Sequence, residues 1–157
     1  MNIFLPDHQR FLKSLIKNDV NFLLIGGYAV VLHGYRRTTG DIDLWINPSN
    51  ENKIKLLEAL KGENIEEEDL SELGKQDFED YLVFSLGEEP EKIDFMTQIN
   101  GVSFNDAYIN RLEKFIDDML IPYINLSDLV LSKMGTGRKK DEADIEELQK
   151  IESLKRK

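Results

Sequence analysis

The 157-residue sequence contains no cysteine and only two histidines, His8 and His33. Without cysteine the chain can form neither a disulfide bond nor a thiolate-bound zinc site. Two histidines are too few for an imidazole cluster, so a bound metal would need oxygen ligands. Oxygen ligands favour magnesium, manganese or calcium.

The sequence also lacks a long hydrophobic run, and its first residues, Met1 to Asp7, carry no basic group. A membrane-spanning helix needs about 20 apolar residues, and a signal peptide begins with a basic segment. We therefore expect no membrane association and a cytoplasmic location. No internal repeat is present, and the length is typical of one domain, so residues 1–157 are predicted to form a single domain.

Positive charge is in deficit, with 20 basic against 30 acidic residues and a net charge of −10. The overall field of such a protein does not attract nucleic acid or anionic lipid. Two short basic segments remain, Arg36-Arg37 and residues 133–140. The most acidic stretch, residues 63–72, is predicted to be a solvated surface segment.

The pattern of apolar residues predicts helices and strands mixed along the chain. Helices are predicted at residues 6–17, at 28–33, from Pro48 through Leu60, from an N-cap at Ser127 to about Met134, and onward from a cap at Asp141. Strands are predicted at residues 22–25, 41–46, 81–86, 92–97, 113–116 and 120–124. This mixture, with its hairpins, indicates an α/β or α+β sheet with helical cover.

Asp41 and Asp43 lie in a predicted strand that is otherwise apolar. Residues i and i+2 of a strand point to the same side. Two carboxylates held that close repel each other unless a cation lies between them or one takes a proton. The pair therefore indicates a divalent-cation site. The alternative is a solvent-facing strand edge in a chain with 30 acidic residues.

Two glycines, Gly26 and Gly27, separate the predicted strand at 22–25 from the predicted helix at 28–33. Glycine lets a backbone approach a ligand closely, and a helix N-terminus offers free N–H groups to a phosphate. The pair is a candidate phosphate-binding turn, and the alternative is a simple tight turn.

A further acid, Asp94, lies between Ile93 and Phe95 in another predicted strand. These two apolar side chains should face the side of the strand opposite to Asp94. Asp94 is thus a candidate third carboxylate of the same site. The alternative is an edge acid paired with Lys92 or a neighbouring arginine.

Taken together, these motifs resemble the signature of the nucleotidyltransferase superfamily, the DNA polymerase β-like fold. That signature is a glycine pair after the first strand, a short helix, Asp-x-Asp on the next strand and a third acid on a later one. The matching residues are Leu24 to Val30, His33, Gly34, Arg37, Thr39, Asp41 to Leu44, and Asp94.

More narrowly, the chain is similar to compact prokaryotic nucleotidyltransferases related to abortive-infection toxins. These share a C-terminal segment that here comprises Lys133, Gly137, Arg138, Lys140, Asp141 and Asp144. Two positions depart from the pattern. Gly27 stands where the superfamily usually has serine, which removes a hydroxyl contact to phosphate, and Arg36 stands where relatives often have proline.

The resemblance implies a mixed twisted sheet with flanking helices and a defined reaction. A nucleoside monophosphate would pass from an NTP to an acceptor hydroxyl, with release of pyrophosphate. Two Mg²⁺ or Mn²⁺ ions, about 3.5–4 Å apart, would be bridged by Asp41 and Asp43. Asp94 would bind the metal that activates the acceptor and could take the acceptor's proton.

The resemblance also implies how the nucleotide is held. The Gly26-Gly27 turn would hold the β- and γ-phosphates. Arg37, Lys133 and Arg138 are candidate counter-charges, because positioning and charge neutralisation dominate phosphoryl transfer.

Two other classes of function compete with an active transferase. One is a catalytically silent module of the same fold that binds a partner protein, as an antitoxin-like module would. The presence of all three acids argues against it. The other is an RNA-binding protein that uses residues 133–140, and the net charge of −10 argues against that. The acceptor stays open among a small molecule such as an antibiotic, a tRNA end and a protein hydroxyl. The base of the NTP and the oligomeric state stay open as well.

Overall fold

A computed structural model of the protein describes residues 3–37 and 39–155. Within them, six strands form one mixed sheet in the order β3-β4-β2-β1-β6-β5. The strands are β1 (Phe22–Ile25), β2 (Ile42–Ile46), β3 (Val83–Leu86), β4 (Ile93–Met96), β5 (Leu112–Ile116) and β6 (Met119–Tyr123). β1 pairs with β6 and β2 with β4 in parallel, while the other neighbours are antiparallel. The predicted mixed sheet with flanking helices is confirmed.

Seven helices accompany the sheet in the described part of the chain. They are α1 (Pro6–Lys17), α2 (Gly26–Leu32), α3 (Asn50–Lys61), α4 (Glu67–Gly74), α5 (Phe104–Ile109), α6 (Leu126–Lys133) and α7 (Lys139–Lys155). None of the helices in these residues is both long and apolar enough to cross a membrane. The sequence predicts a polar loop at residues 35–40, and this segment includes Thr38, which lies outside the described residues.

Three predicted helix starts were wrong. Helix α2 begins at Gly26, two residues before the predicted start at residue 28. Asn125, rather than Ser127, caps α6, because its side chain accepts a hydrogen bond from the Asp128 backbone N–H. Helix α7 begins at Lys139, two residues before Asp141. The Asp141 carboxylate is bonded to the side chains of Lys133, Thr136 and Arg138.

Two helices were not predicted. The acidic segment contains α4, whose first turn carries Glu67, Glu68 and Asp69, where negative charge is favourable. Leu70 and Leu73 of this helix pack against the core. The other is α5, whose six residues are too few to show a clear helical period.

Alternation along the central strands divides the core into two layers. Ile42, Leu44 and Ile46 of β2 belong to the larger cluster, together with residues of α1 and α3. Trp45 belongs to the other cluster, which includes residues of α5, α6 and α7. Because Asp43 alternates with Ile42 and Leu44, it lies on the same side of the sheet as Trp45.

Candidate active site

Asp43 and Asp94 lie side by side in the centre of the sheet. They are paired in register on the parallel strands β2 and β4, and Ile25 and Ser85 are their other cross-strand neighbours. Ile93 and Phe95, which flank Asp94, are buried. The register thus places two carboxyl groups next to each other on one face of the sheet.

The two carboxyl groups are close enough to repel each other when both are ionised. Burial, and after it the charges of Asp94 and Asp41, raise the pKa of Asp43 from 3.8 to about 6, although Lys133 opposes the rise. Ionisation of both acids is unfavourable here, so a positive charge next to them would stabilise the pair.

Gly26 lies directly against this pair. Its φ is +66°, a value that side chains rarely adopt, and a Cβ built at this position would lie 2.1 Å from Asp43 Oδ2. Both the backbone conformation and the close approach therefore require glycine. The direct passage from β1 into α2 thus places the Gly26 backbone next to the Asp43 carboxylate.

Asp41, the third predicted acid, immediately precedes β2 and is half-buried. Its carboxyl group is the main cause of a raised pKa of Glu89, a residue of the turn between β3 and β4. Asp41 Oδ1 is buried without a hydrogen-bond partner among the described residues. Its charge acts on Asp43, so the three acids share one electrostatic environment.

Asp94 has two further neighbours besides Asp43. Ser85 Oγ donates a short hydrogen bond of 2.5 Å to Asp94 Oδ1. Lys92 Nζ lies 3.6 Å from the same oxygen. The ion pair with Lys92 that sequence reasoning offered as an alternative is therefore present, and it coexists with the contact to Asp43.

Asp43, Asp94 and Gly26 line an open cleft of about 820 Å³. One side carries cationic residues, Lys133 and Arg138, and another carries Tyr81 and Val83 from the β3 segment. This volume lies within the range of small-molecule sites, about 300–1,000 Å³. Asp41, Gly27 and Arg37 are not among the lining residues.

The basic residues predicted to bind the nucleotide form ion pairs with two acids of α7. Lys133 Nζ lies 3.1 Å from Asp141 Oδ1 and 3.0 Å from Asp144 Oδ2. Arg138 Nε lies 2.7 Å from Asp141 Oδ2. Arg37 contacts Asp144 through Nε at 3.0 Å and Nη2 at 3.1 Å. Arg37 thus lies in a largely buried ion pair outside the cleft, whereas Lys133 and Arg138 reach into it.

The departure at Gly27 has a structural counterpart. A Cβ at residue 27 would lie 2.4 Å from Thr39 Oγ1 and 3.1 Å from Arg37 Nη2. The Thr39 hydroxyl therefore occupies space that a serine at residue 27 would need. Glycine at this position is compatible with threonine at residue 39, and serine is not unless Thr39 moves.

As the side chains stand, no group of three or more His, Cys, Asp or Glu residues in the described segments is arranged to hold a metal ion. Asp43 faces Asp94 across β2 and β4, and Asp41 lies near Glu89. The donor chemistry nevertheless fits a hard cation, because all the groups are carboxylates. The unpartnered, buried Asp41 Oδ1 is also an oxygen that a cation would satisfy.

Sequence reasoning missed Ser85, Glu89 and the anchoring role of Asp144. Ser85 could have been found by setting the predicted hairpin in register, since it pairs with Asp94 across β3 and β4. Asp144 belongs to the C-terminal motif, but its ion pairs are not evident from the sequence, and Glu89 carries no signal because it lies in a run of acidic turn residues.

Comparisons with known proteins identify the family of the chain. A family profile described as "nucleotidyltransferase of unknown function" (DUF6036) matches residues 7–155. A comparison with curated protein sequences finds no significant match.

Solved structures of adenylyltransferases are also similar. The lincosamide antibiotic adenylyltransferase LnuA, bound to lincomycin, superimposes with a TM-score of 0.57 at 20% identity, over 96% of this chain and 99% of that one. ANT(2″)-Ia, in complex with adenylyl-2″-tobramycin, gives a TM-score of 0.55 at 14% identity, over 94% and 91% of the two chains. At these identities the likeness shows the fold.

Proposed function

We propose that this chain, which belongs to the DUF6036 family of nucleotidyltransferases, moves a nucleoside monophosphate from an NTP to an acceptor hydroxyl in a reaction that depends on Mg²⁺ or Mn²⁺. The observation that carries the proposal is the Asp43–Asp94 pair beside Gly26, in a cleft whose other side carries Lys133 and Arg138. Neighbouring acids that a cation would stabilise and two cationic side chains lie in the same cleft. A triphosphate with its divalent ion meets both requirements.

The triphosphate would lie between the glycine turn and the cationic side of the cleft. Gly26 leaves its backbone open to a close approach because it has no side chain. Lys133 and Arg138 would neutralise phosphate charge, and Lys92 lies beside Asp94 in the same cleft. Arg37 is proposed to act on the nucleotide only indirectly, through Asp144.

The three acids divide the remaining work. Asp41 and Asp43 would hold the divalent ion, which when bound neutralises the polyphosphate and lowers the pKa of the acceptor hydroxyl. The acceptor oxygen forms a bond to the α-phosphorus, and the bond from that phosphorus to pyrophosphate breaks. Asp94 would take the hydroxyl proton, and Ser85 and Lys92 would orient its carboxylate.

A small molecule is the acceptor that we favour over tRNA and over a protein hydroxyl. The chain carries a net charge of −10, which disfavours an RNA substrate. The side chains of Tyr81 and Val83 are largely exposed in the cleft and offer an apolar surface beside Asp94. The similar fold of two antibiotic adenylyltransferases is in keeping with this choice.

The test is to incubate the protein and Mg²⁺ with each NTP, labelled in turn at the α- and the γ-phosphate, together with extracts of small molecules, tRNA and protein. We expect α-label in an acceptor and γ-label only in pyrophosphate. Asp43→Asn should abolish transfer, and Asp69→Asn, on the exposed surface of α4, should not. Transfer of the γ-label would instead identify a kinase-type reaction and refute the proposal.

The silent-module reading has its own outcome in the same experiment. A folded protein that binds no NTP with a divalent ion, or binds one and labels nothing in any extract, would support a partner-binding role. A pull-down with the wild type and Asp43→Asn would then show whether a partner recognises the cleft.

A further inference from the structure

Two buried acids on α7 form ion pairs with three basic side chains from different parts of the chain. Asp141 and Asp144 are 2% and 1% exposed and lie one helical turn apart, so they share a face of α7. Their partners are Lys133 at the end of α6, Arg138 in the loop before α7, and Arg37 in the segment that follows α2. Three positive and two negative charges leave an excess of one positive charge.

Lys133 is the member of this cluster that is both buried and open to the cleft. It is only 8% exposed, yet it lines the cleft with Asp43 and Gly26. A lysine ammonium has three N–H donors. It donates a hydrogen bond to Asp141 at 3.1 Å and forms an ion pair with Asp144 at 3.0 Å, so at least one donor remains for a ligand in the cleft.

The two carboxylates fix where that donor lies. A lysine at the end of a helix ordinarily samples many rotamers, whereas an ammonium bonded to two buried acids has its position set by both. Asp144 also accepts a hydrogen bond from Arg37 Nη2, an atom that lies close to Gly27. Asp144 thus connects the cationic side of the cleft to the glycine turn.

We infer that Asp144, assisted by Asp141, is a positioning residue that holds the Lys133 ammonium at the point where the triphosphate binds. This inference rests on the proposed nucleotide site. It assigns the acids of α7 a role in nucleotide affinity that acts through Lys133, rather than contact with the substrate or general stabilisation of the fold.

The first test measures binding of ATP, or of whichever NTP the wild type prefers, by calorimetry with Mg²⁺. We expect Lys133→Gln and Asp144→Asn each to weaken binding about tenfold or more, as the loss of a hydrogen bond to a charged group does. Glu142→Gln is the matched control, because this exposed acid lies beside Asp141 on the same helix. It should leave the affinity unchanged.

The double variant Lys133→Gln/Asp144→Asn separates positioning from structure. If Asp144 acts through Lys133, the double variant should bind the nucleotide no more weakly than Lys133→Gln alone. If the double variant loses affinity by the product of the two single fold-losses, the inference is wrong. Should Asp144→Asn fail to fold, Asp141→Asn replaces it in the same cycle, because that substitution leaves the Arg37 pair intact.

A second readout does not need the nucleotide. Acetylation of lysines by acetic anhydride, followed by mass spectrometry, should modify Lys133 slowly in the wild type and severalfold faster in folded Asp144→Asn. Lys61, which is exposed on α3, should react equally in both. Unchanged Lys133 reactivity would refute the positioning role even if the protein binds NTP. If the wild type binds no NTP with Mg²⁺, the proposed function fails, and a rise in reactivity would still show that Asp144 positions Lys133.

Discussion

Asp43 and Asp94 face each other across the parallel strands β2 and β4, and the charge of Asp94 helps to raise the pKa of Asp43. Two acids in this arrangement are unfavourable unless a proton or a cation lies between them. The strands that hold them are anchored by buried residues on either side, among them Ile42, Leu44 and Phe95. The fold thus holds two acids in an arrangement that a bound proton or cation would stabilise.

The first prediction concerns stability. The pKa of Asp43 is raised to about 6, so the folded state disfavours its charged form. The stability linked to this group is present below pH 3.8 and is lost as the pH rises through 6. Asp43→Asn should therefore stabilise the metal-free protein at pH 7.5 by roughly 1–3 kcal/mol.

Urea unfolding in EDTA at pH 7.5 and at pH 3.5 tests this. The advantage of Asp43→Asn should be absent at the lower pH, where the wild-type carboxyl is also neutral. Asp69→Asn serves as the exposed control. Equal stability of Asp43→Asn and wild type at both pH values would contradict the raised pKa.

The second prediction concerns the metal. Mg²⁺ or Mn²⁺ should bind weakly alone and more tightly with an NTP, because magnesium commonly uses substrate phosphates as ligands. Calorimetry of NTP binding with and without the divalent ion measures this. Equal NTP affinity in EDTA and in Mg²⁺ would count against a metal-dependent transferase.

The third prediction separates Asp94 from the other two acids. Asp94→Asn keeps the shape of the side chain and removes its charge, so transfer should slow by orders of magnitude while NTP·Mg²⁺ binding survives. An interaction made only in the transition state has this kinetic signature. The stability should hold or rise, because one of three neighbouring negative charges is gone.

Unfolding of Asp94→Asn would instead mark Asp94 as a structural partner of Lys92 or Ser85. Full activity in a folded variant would remove it from the chemistry. Ser85→Ala is the companion variant. It should lower the rate less than Asp94→Asn does, since it removes only a hydrogen bond to that carboxylate.

The fourth prediction concerns the glycine turn. Gly27→Ser should destabilise the protein by about 1–3 kcal/mol, as overpacking of a filled site does, because its Cβ would meet Thr39 Oγ1 at 2.4 Å. Gly27→Ser/Thr39→Ala should recover much of this loss, since the obstructing hydroxyl is removed. Thermal melts of Gly27→Ser, Thr39→Ala and the double variant measure the change in stability. A double variant as unstable as the sum of its singles would show that Thr39 is not the obstacle.

The fifth prediction concerns Arg37. Its side chain is 11% exposed and contacts the buried Asp144 at two points. Arg37→Ala should therefore lower the free energy of unfolding by about 3 kcal/mol, as the loss of one partner of a buried pair does. Arg36→Ala, at the exposed neighbouring position, should change it little. Chemical denaturation measures both, and an equal effect of the two substitutions would contradict a structural role for the ion pair.

The sequence determined much of the fold, because its signals were local. Alternation in Ile42, Leu44 and Ile46 predicted β2, and the apolar run at residues 22–25 predicted β1. The resemblance to nucleotidyltransferases was confirmed by the family match. Local signals failed at α5, which is too short to show a period, and at the start of α6, where Asn125 rather than Ser127 formed the cap.

The sequence also supplied the chemistry of the candidate site, since residue type alone identifies three strand acids and a glycine pair. Only the tertiary structure decided which of these groups meet. The parallel register of β2 and β4 places Asp94 next to Asp43, although about fifty residues separate them along the chain. The ion pairs with α7 leave Lys133 at the cleft and Arg37 outside it. These contacts between residues far apart in the sequence depend on strand order and helix packing. No local pattern of residues encodes them.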